Sequence, residues 1–206
     1  MVMGHFDGAA IIPYRKNGKD ISILLGAAEQ GQLNTVLGGS KFHEDPRTKE
    51  IIVDDTVYLT AAREFIEEAG TDIDTAKLIT YLKKVPLVVN IAHEQVKFGR
   101  YENGKYYVLF MVPMPALDIA KMRTAYEHRL LAHNADPITT SPAVIEVGEF
   151  TWFDLSADGS LKGDIPASFG DRTTQRSQMS YQVISREPDT TADIQAFEWN
   201  GKYLDK

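Results

Sequence analysis

The sequence predicts one mixed α/β domain. The first half of the chain alternates short apolar runs with turn signals, which is typical of β-strands. Residues 56–69 instead repeat their apolar positions every four residues, which is typical of an α-helix. The length of 206 residues is enough for a large domain with a full hydrophobic core. We therefore expect residues 1–206 to form a single domain.

The strand signals begin near the N-terminus. Residues 8–14 form a short apolar run, and Asn17-Gly18 is a hairpin turn signal that leads into a second run over residues 21–27. A third short apolar piece ends at Gly38-Gly39. The next segment, residues 40–54, is polar and contains a proline, so we expect a loop there.

Residues 56–69 are predicted to form an amphipathic helix. We expect Asp54 or Asp55 to cap its N-terminus. Gly70 suits the C-terminal position where a left-handed backbone is common. The apolar stripe comprises Val57, Ala61, Phe65 and Ala69.

The second half of the chain predicts further strands, one helix and a long loop. The Gly-, Ser- and Thr-rich segment 156–181 is expected to be a loop-rich insertion or extension. The other predicted elements are strands over 78–90, 96–101, 106–112, 144–155 and 182–185, a hairpin turn at Asn103-Gly104 and a helix over 117–133.

Composition and charge weigh against several functional classes. The net charge of −7 opposes non-specific binding to long nucleic acids or membranes. The absence of cysteine excludes a thiol nucleophile, a disulfide framework and a zinc–thiolate site. No apolar run reaches membrane-spanning length, and the N-terminus lacks the pattern of a signal peptide. We therefore expect a soluble, cytoplasmic protein.

Three carboxylates of the predicted helix carry the strongest chemical signal. Glu64, Glu67 and Glu68 are spaced i, i+3 and i+4, so they share one helix face. They repel each other unless a cation neutralises them, and hard divalent ions prefer such oxygen ligands. Beside the Gly38-Gly39 turn they could hold a metal-bound polyphosphate. The alternative is a solvated acidic face paired with Arg63, as in a plain interaction protein.

These residues resemble the signature of the Nudix hydrolases. That signature reads Gly, five residues, Glu, seven residues, and then Arg-Glu-aliphatic-x-Glu-Glu-x-Gly-aliphatic. The run Arg63-Glu64-Phe65-Ile66-Glu67-Glu68-Ala69-Gly70 matches its C-terminal half without a gap. The resemblance implies an α/β/α sandwich, in which helices flank both sides of a mixed β-sheet.

The N-terminal half of the signature departs from the family pattern. Counting back from the arginine places Asp55 at the first glutamate and Lys49 at the glycine. We infer an insertion of roughly ten residues within the 40–54 loop, which costs little entropy, with Gly39 as the equivalent glycine. An alternative alignment pairs Gly38 with Glu44.

The resemblance implies hydrolysis of a pyrophosphate bond in a nucleoside diphosphate linked to another moiety. Glu64, Glu67 and Glu68 would bind Mg²⁺ or Mn²⁺, and Arg63 would orient a glutamate by ion pairing. Members often use a further glutamate as the base. The candidates are Glu149, which we favour, then Glu146, and after these Glu94 and Glu127.

Other implied features concern the substrate and partners. We expect Gly38 and Gly39 to lie at the substrate, and Arg172 and Arg176, spaced i and i+4, to clamp a phosphate. The substrate class remains open among nucleotide sugars, ADP-ribose, dinucleoside polyphosphates and similar compounds. A homodimer is a further expectation from the family. The alternative function is a non-catalytic Nudix-like domain that senses a nucleotide.

Overall fold

The structure is a computed structural model that describes residues 6–27, 36–92, 105–138, 140, 145–164 and 172–190. The strands are β1 Gly8–Asn17, β2 Asp20–Ala27, β3 Leu37–Ser40, β4 Phe42–Glu44, β5 Ile51–Val53, β6 Leu87–Ala92, β7 Lys105–Pro113 and β8 Glu149–Asp154. The helices are α1 Val57–Ala69, α2 Thr75–Leu82, α3 Ile119–Ala135 and α4 Arg172–Ile184.

Strand β1 is central to the main sheet, whose order is β6-β7-β1-β2-β8. One edge of β1 pairs in parallel with β7. Its other edge is shared, because Gly8 to Ile11 pair with β3 and Tyr14 to Asn17 pair with β2, both antiparallel. The hairpin predicted at Asn17-Gly18 is confirmed, and Gly18 takes a positive φ of 59°. The sheet is therefore mixed, as predicted.

Helices cover both faces of this sheet. Side chains alternate along a strand, so Ala9 and Ile11 of β1 pack with α1, α2 and the start of α3. Ala10 and Ile12 face the opposite side, where they share a core with Ile184 of α4. The predicted arrangement of a mixed sheet with helices on both sides is confirmed. None of the helices in the described ranges is both long and apolar enough to cross a membrane.

Helix α1 forms as the sequence predicts, with one correction at its N-terminus. Its apolar stripe, which includes Phe65, is buried against β1 and β3. Gly70 ends the helix with a φ of 63°, as expected. The cap, however, is Thr56, whose side chain accepts from the N–H of Leu59, so the prediction of an aspartate cap was wrong.

The predicted loop over residues 40–54 is a hairpin. Strands β4 and β5 pair antiparallel, with Phe42 opposite Val53. Asp45 closes the turn by accepting hydrogen bonds from the N–H groups of Arg47 and Thr48, each 2.8 Å long. The polar composition masked this hairpin, since its turn rests on an aspartate rather than on an Asn-Gly or Asp-Gly pair.

Two further segments differ from the sequence prediction. Residues 78–82 belong to α2 rather than to a strand, because Asp74 caps the helix and Leu78 and Leu82 are buried on one side of it; the strand begins only at Leu87. Residues 172–184 form α4, not a loop followed by a strand. Its buried residues include Ser177 and Ser180, a residue type that is more common in loops. The predicted elements at 96–101 and Asn103-Gly104 lie outside the described residues.

Substitution of Gly70 by alanine is expected to destabilise the fold more than substitution of Gly18. Both residues have positive φ, so each alanine costs about 1–2 kcal/mol of backbone strain. A Cβ on Gly70 would also lie 1.5 Å from Nη1 of the buried Arg129, whereas nothing lies within 4 Å of a Cβ on Gly18. We expect an additional loss of about 2 kcal/mol for Gly70→Ala, measured by urea unfolding. Equal losses in the two variants would show that Arg129 is not held in place.

Candidate functional site

The glutamates of α1 lie against the glycines of β3. A Cβ on Gly39 would be 2.6 Å from the carboxylate carbon and both carboxylate oxygens of Glu64. Gly38 cannot carry a side chain either, since its Cβ would lie 2.3 Å from Ala10. Separately, its N–H donates to the carboxylate of Glu68. Glycine is therefore required twice, once by the neighbouring strand and once by a carboxylate. The predicted proximity of Gly38-Gly39 to the acidic face is what the structure shows.

Arg63 lies at the centre of these carboxylates. Its Nε and Nη2 donate to Oδ2 of Asp54, at 3.2 and 2.9 Å, and Nη2 also donates to the carbonyl oxygen of Ser40 at 2.9 Å. Its Nη1 lies 3.0 Å from Oε1 of Glu64 and 3.1 Å from Oε2 of Glu67. The ion pairing of Arg63 with a glutamate that the resemblance implies is thus present with both Glu64 and Glu67. All three nitrogens of the guanidinium are thus engaged within the protein.

Asp54 is the buried anion that holds Arg63 from the N-terminal side. Besides Arg63, its Oδ2 accepts a hydrogen bond from the hydroxyl of Thr60 at 2.9 Å. Counting from the signature placed Asp55 at the family's first glutamate, but Asp55 is exposed to solvent. The structure puts Asp54, one residue earlier, next to Arg63. A count along the sequence could not find this, because the hairpin sets which of the two aspartates turns inward.

Burial dominates the electrostatics of the three glutamates. It raises the pKa of Glu64 to about 7, with Glu67 and Glu146 acting in the same direction and Arg63 acting against them. Burial likewise raises the pKa of Glu67 and, more strongly, that of Glu68, which is 2% exposed. For Arg63, burial alone would lower the pKa, but Asp54, Glu64 and Glu67 outweigh it and raise the pKa. The positive charge of Arg63 alone therefore does not neutralise the three glutamates.

The donor atoms suit a hard divalent cation, although their present arrangement does not form a site for one. Carboxylate oxygens are the ligands that Mg²⁺ and Mn²⁺ prefer. Oε2 of Glu68 is buried and has no hydrogen-bond partner, so it is a ligand atom without a counterpart. Within the described ranges, however, no three His, Asp or Glu side chains lie so that they could hold a metal ion. Glu64 and Glu67 each direct one oxygen to Arg63 instead.

Three of the four candidate bases lie within the described residues. Glu146 is at the surface, yet its charge raises the pKa of both Glu64 and Glu68, and burial of its own carboxyl raises its pKa too. Glu149 begins β8, where it pairs with Ala27. Glu127 is exposed on α3 and lies 3.7 Å from Arg123. Glu94 is outside the described residues.

The two candidate arginines belong to α4. Arg172 is its first residue. The guanidinium of Arg176 lies 5.5 Å above the ring of Tyr107, in the layer on the sheet face opposite α1. Charged residues from both faces of the sheet act on Tyr107. Burial raises its pKa, Glu68 of α1 raises it further, and Arg176 of α4 opposes the rise.

His43 is a residue at the site that sequence reasoning missed. It lies on β4, and its Nδ1 is 3.9 Å from Oδ1 of Asp54. It is near enough to Glu67 to lower the pKa of that carboxyl, against the larger effect of burial. No metal-ligand spacing marks His43 in the sequence. A hairpin prediction over residues 42–53 would have been the signal to find it.

Stability without added metal is expected to fall as pH rises through the range from about 4.5 to about 7. Glu64 has a higher pKa folded than unfolded, so the folded state binds more protons in this range. A pKa shift of this size corresponds to roughly 3 kcal/mol of unfolding free energy. The neutral variant Glu64→Gln removes this pH-dependent contribution. We expect its stability, measured by urea unfolding in EDTA, to depend less on pH than that of the wild type. Glu127→Gln is the control, and equal pH dependence of Glu64→Gln and wild type would contradict the burial argument.

Asp54→Ala is expected to destabilise the protein by about 2 kcal/mol or more, because it leaves the Nε of Arg63 without an acceptor and the hydroxyl of Thr60 with only the longer 3.4 Å bond to the carbonyl of Thr56. Asp55→Ala removes the neighbouring exposed carboxylate and should change stability by less than about 0.5 kcal/mol. Thermal and urea unfolding of the pair measure the difference. Similar stability of both variants would refute the assignment of Asp54 as the partner of Arg63.

No family model matches the chain, and no curated protein matches its sequence. One solved structure, a Nudix hydrolase from Alicyclobacillus acidocaldarius, aligns with 74% of this chain and 80% of its own at 13% identity and a TM-score of 0.36. Similarity at this level does not identify an activity, so the function has to be argued from the residues of the site.

Proposed function

We propose that this chain is a divalent-metal-dependent hydrolase of the Nudix type. Its reaction would be cleavage of a pyrophosphate bond in a nucleoside diphosphate linked to another moiety, such as a sugar, a ribose or a second nucleotide. The observation that carries the proposal is the group of three glutamates on α1 with raised pKa values, of which Glu64 and Glu68 are buried against Gly38-Gly39 and Glu67 is half-buried. The match of residues 63–70 to the Nudix signature supports the same reaction.

Glu64, Glu67 and Glu68 are the residues that would hold Mg²⁺ or Mn²⁺. A bound cation would neutralise charge on phosphoryl oxygens and lower the pKa of a coordinated water. Oε2 of Glu68 supports this assignment, since a buried carboxylate oxygen without a partner is costly unless a ligand satisfies it. The raised pKa values of all three carboxyls support it as well. Without a cation each carboxyl favours its neutral form, and a bound cation would favour the charged form instead.

Other residues around the glutamates would position the metal ligands and the substrate or activate the attacking water. Arg63 is a positioning residue, since all its nitrogens already bind protein acceptors. Gly39 would allow the carboxylate of Glu64 to lie directly against β3, beside the substrate. For the base we now favour Glu146 over Glu149, because the charge of Glu146 acts on Glu64 and Glu68. Arg172 and Arg176 remain proposed phosphate ligands from α4.

A nucleotide-binding protein without hydrolytic activity is the second candidate. It is favoured by one observation: across the part of the chain that is described, the acidic side chains do not converge as a metal site, and Arg63 already interacts with Glu64 and Glu67. In that case the glutamates would form a structural ion-pair network. A single domain over residues 1–206, which rests on the chain length and the pattern of elements, and a homodimer, which rests on the resemblance alone, are further proposals.

Hydrolysis of a nucleoside diphosphate panel with Mg²⁺ or Mn²⁺ is the direct test. We expect the wild type to release product from at least one compound, and Glu67→Gln and Glu68→Gln to lower kcat by about 100-fold or more, because each removes a charge that would hold the cation. Isothermal titration with Mn²⁺ should show weaker binding to both variants. Asp20→Asn, which neutralises an exposed carboxylate at the start of β2, should match the wild type in both assays.

Two results would decide against the hydrolase. If the wild type binds nucleotides from the panel but turns none over, the sensing function replaces it. If the wild type binds no metal at millimolar concentration and hydrolyses nothing, the carboxylates are structural and the proposal is wrong.

A further inference from the structure

The β4–β5 hairpin is tied to the proposed active site at its base. The N–H of Asp54 donates to the carbonyl of Lys41 at 2.9 Å, and the N–H of Lys41 donates to the carbonyl of Asp7 at 3.1 Å. The carbonyl of Ser40 accepts from Arg63. These bonds fix the point where the hairpin leaves the sheet, so the hairpin stands beside the carboxylates of α1.

One side chain of the hairpin faces the site. His43 is paired with Ile52 across the hairpin, and its Nδ1 lies 3.9 Å from Oδ1 of Asp54. This nitrogen is enclosed by protein and has no hydrogen-bond partner among the described residues. The side chain is nevertheless 27% exposed, which leaves the opposite edge of the ring, with Nε2, toward solvent.

A polyphosphate at this site needs hydrogen-bond donors that the signature residues do not supply. The glutamates repel anions, and the nitrogens of Arg63 are all engaged. A protonated imidazole donates from both nitrogens, so it can bridge a carboxylate on one side and a phosphate oxygen on the other. His43 has a carboxylate, Asp54, on its enclosed side.

We propose that His43 is a substrate-binding residue, which uses Nδ1 to contact Asp54 and Nε2 to donate a hydrogen bond to a phosphate oxygen of the substrate. The hairpin over residues 42–53 then has a defined purpose, namely to carry this donor to the edge of the carboxylate cluster. The assignment rests on the proposed function for its choice of ligand, and on the position of the ring for its choice of residue.

Amide substitutions separate the two nitrogens of the ring. The side-chain nitrogen of glutamine reaches about as far as Nε2, whereas that of asparagine reaches only as far as Nδ1. We expect His43→Asn to weaken binding of the hydrolysis-resistant probe methylenediphosphonate, in the presence of Mg²⁺, by about 10-fold, which corresponds to the loss of one hydrogen bond. His43→Gln should stay within about threefold of the wild type. A purely structural role of the ring would not favour glutamine in this way.

Nuclear magnetic resonance of the histidine Cε1–H groups gives a second measurement. The chain has five histidines, and the signal missing from His43→Asn assigns His43. That signal should shift saturably with methylenediphosphonate, and the signal of His128, which is exposed on α3, should not. His128→Asn is the matched control for affinity, and circular dichroism checks that each variant is folded.

The outcomes separate this inference from the proposed function. Binding with a shifted His43 signal but no turnover of any nucleotide would sustain the role of His43 and refute the hydrolase. Turnover with an unmoved His43 signal, or with wild-type affinity in His43→Asn, would overturn the role of His43 alone. Absence of any saturable probe binding to the wild type would overturn it as well.

Discussion

The ion-pair network around Arg63 is the interaction on which the site depends. A single guanidinium joins three parts of the chain, since it binds the end of β3 through Ser40, the base of the hairpin through Asp54, and its own helix through Glu64 and Glu67. Charges taken out of water are costly unless they are paired and hydrogen-bonded. Arg63 is 13% exposed and Asp54 is 3% exposed at the side chain, so neither can exchange its partner for water at low cost. This requirement holds α1, the end of β3 and the base of the hairpin together, in addition to the packing of the apolar stripe of α1.

The sheet contributes a second constraint, which is a lack of side-chain volume. Strand β3 approaches β1 so closely that a Cβ on Gly38 would collide with Ala10 and one on Gly8 would lie 2.4 Å from the carbonyl oxygen of Gly39. The volume freed at Gly39 is occupied by the carboxylate of Glu64. Strand β3 can lie against β1 at this point because β2 pairs only with the other half of the same edge. The location of the carboxylates is therefore a consequence of the sheet topology as well as of the helix sequence.

Local patterns predicted the parts of the molecule that local chemistry decides. The periodicity of α1, its end at Gly70 and the first hairpin depend on residues that are neighbours in sequence, and these predictions are confirmed. The choice of Asp54 over Asp55, the inward position of His43 and the helical state of residues 172–184 depend on contacts between distant segments. Serines in α4 illustrate the difficulty, because Ser177 and Ser180 are buried only once the sheet is present to cover them.

The direction of the pKa shifts favours a functional site over a purely structural network. If ion pairing to Arg63 served stability alone, the carboxylates would be better solvated by the protein than by water, and their pKa values would be lowered. The opposite holds for Glu64, Glu67 and Glu68, since burial and mutual repulsion exceed what one guanidinium provides. Stability would favour neutral side chains at Glu64 and Glu68, yet the chain keeps two buried acids there. Groups held in an unfavourable charge state concentrate where a protein binds a ligand or performs chemistry, and for three carboxylates the ligand that would restore the balance is a cation.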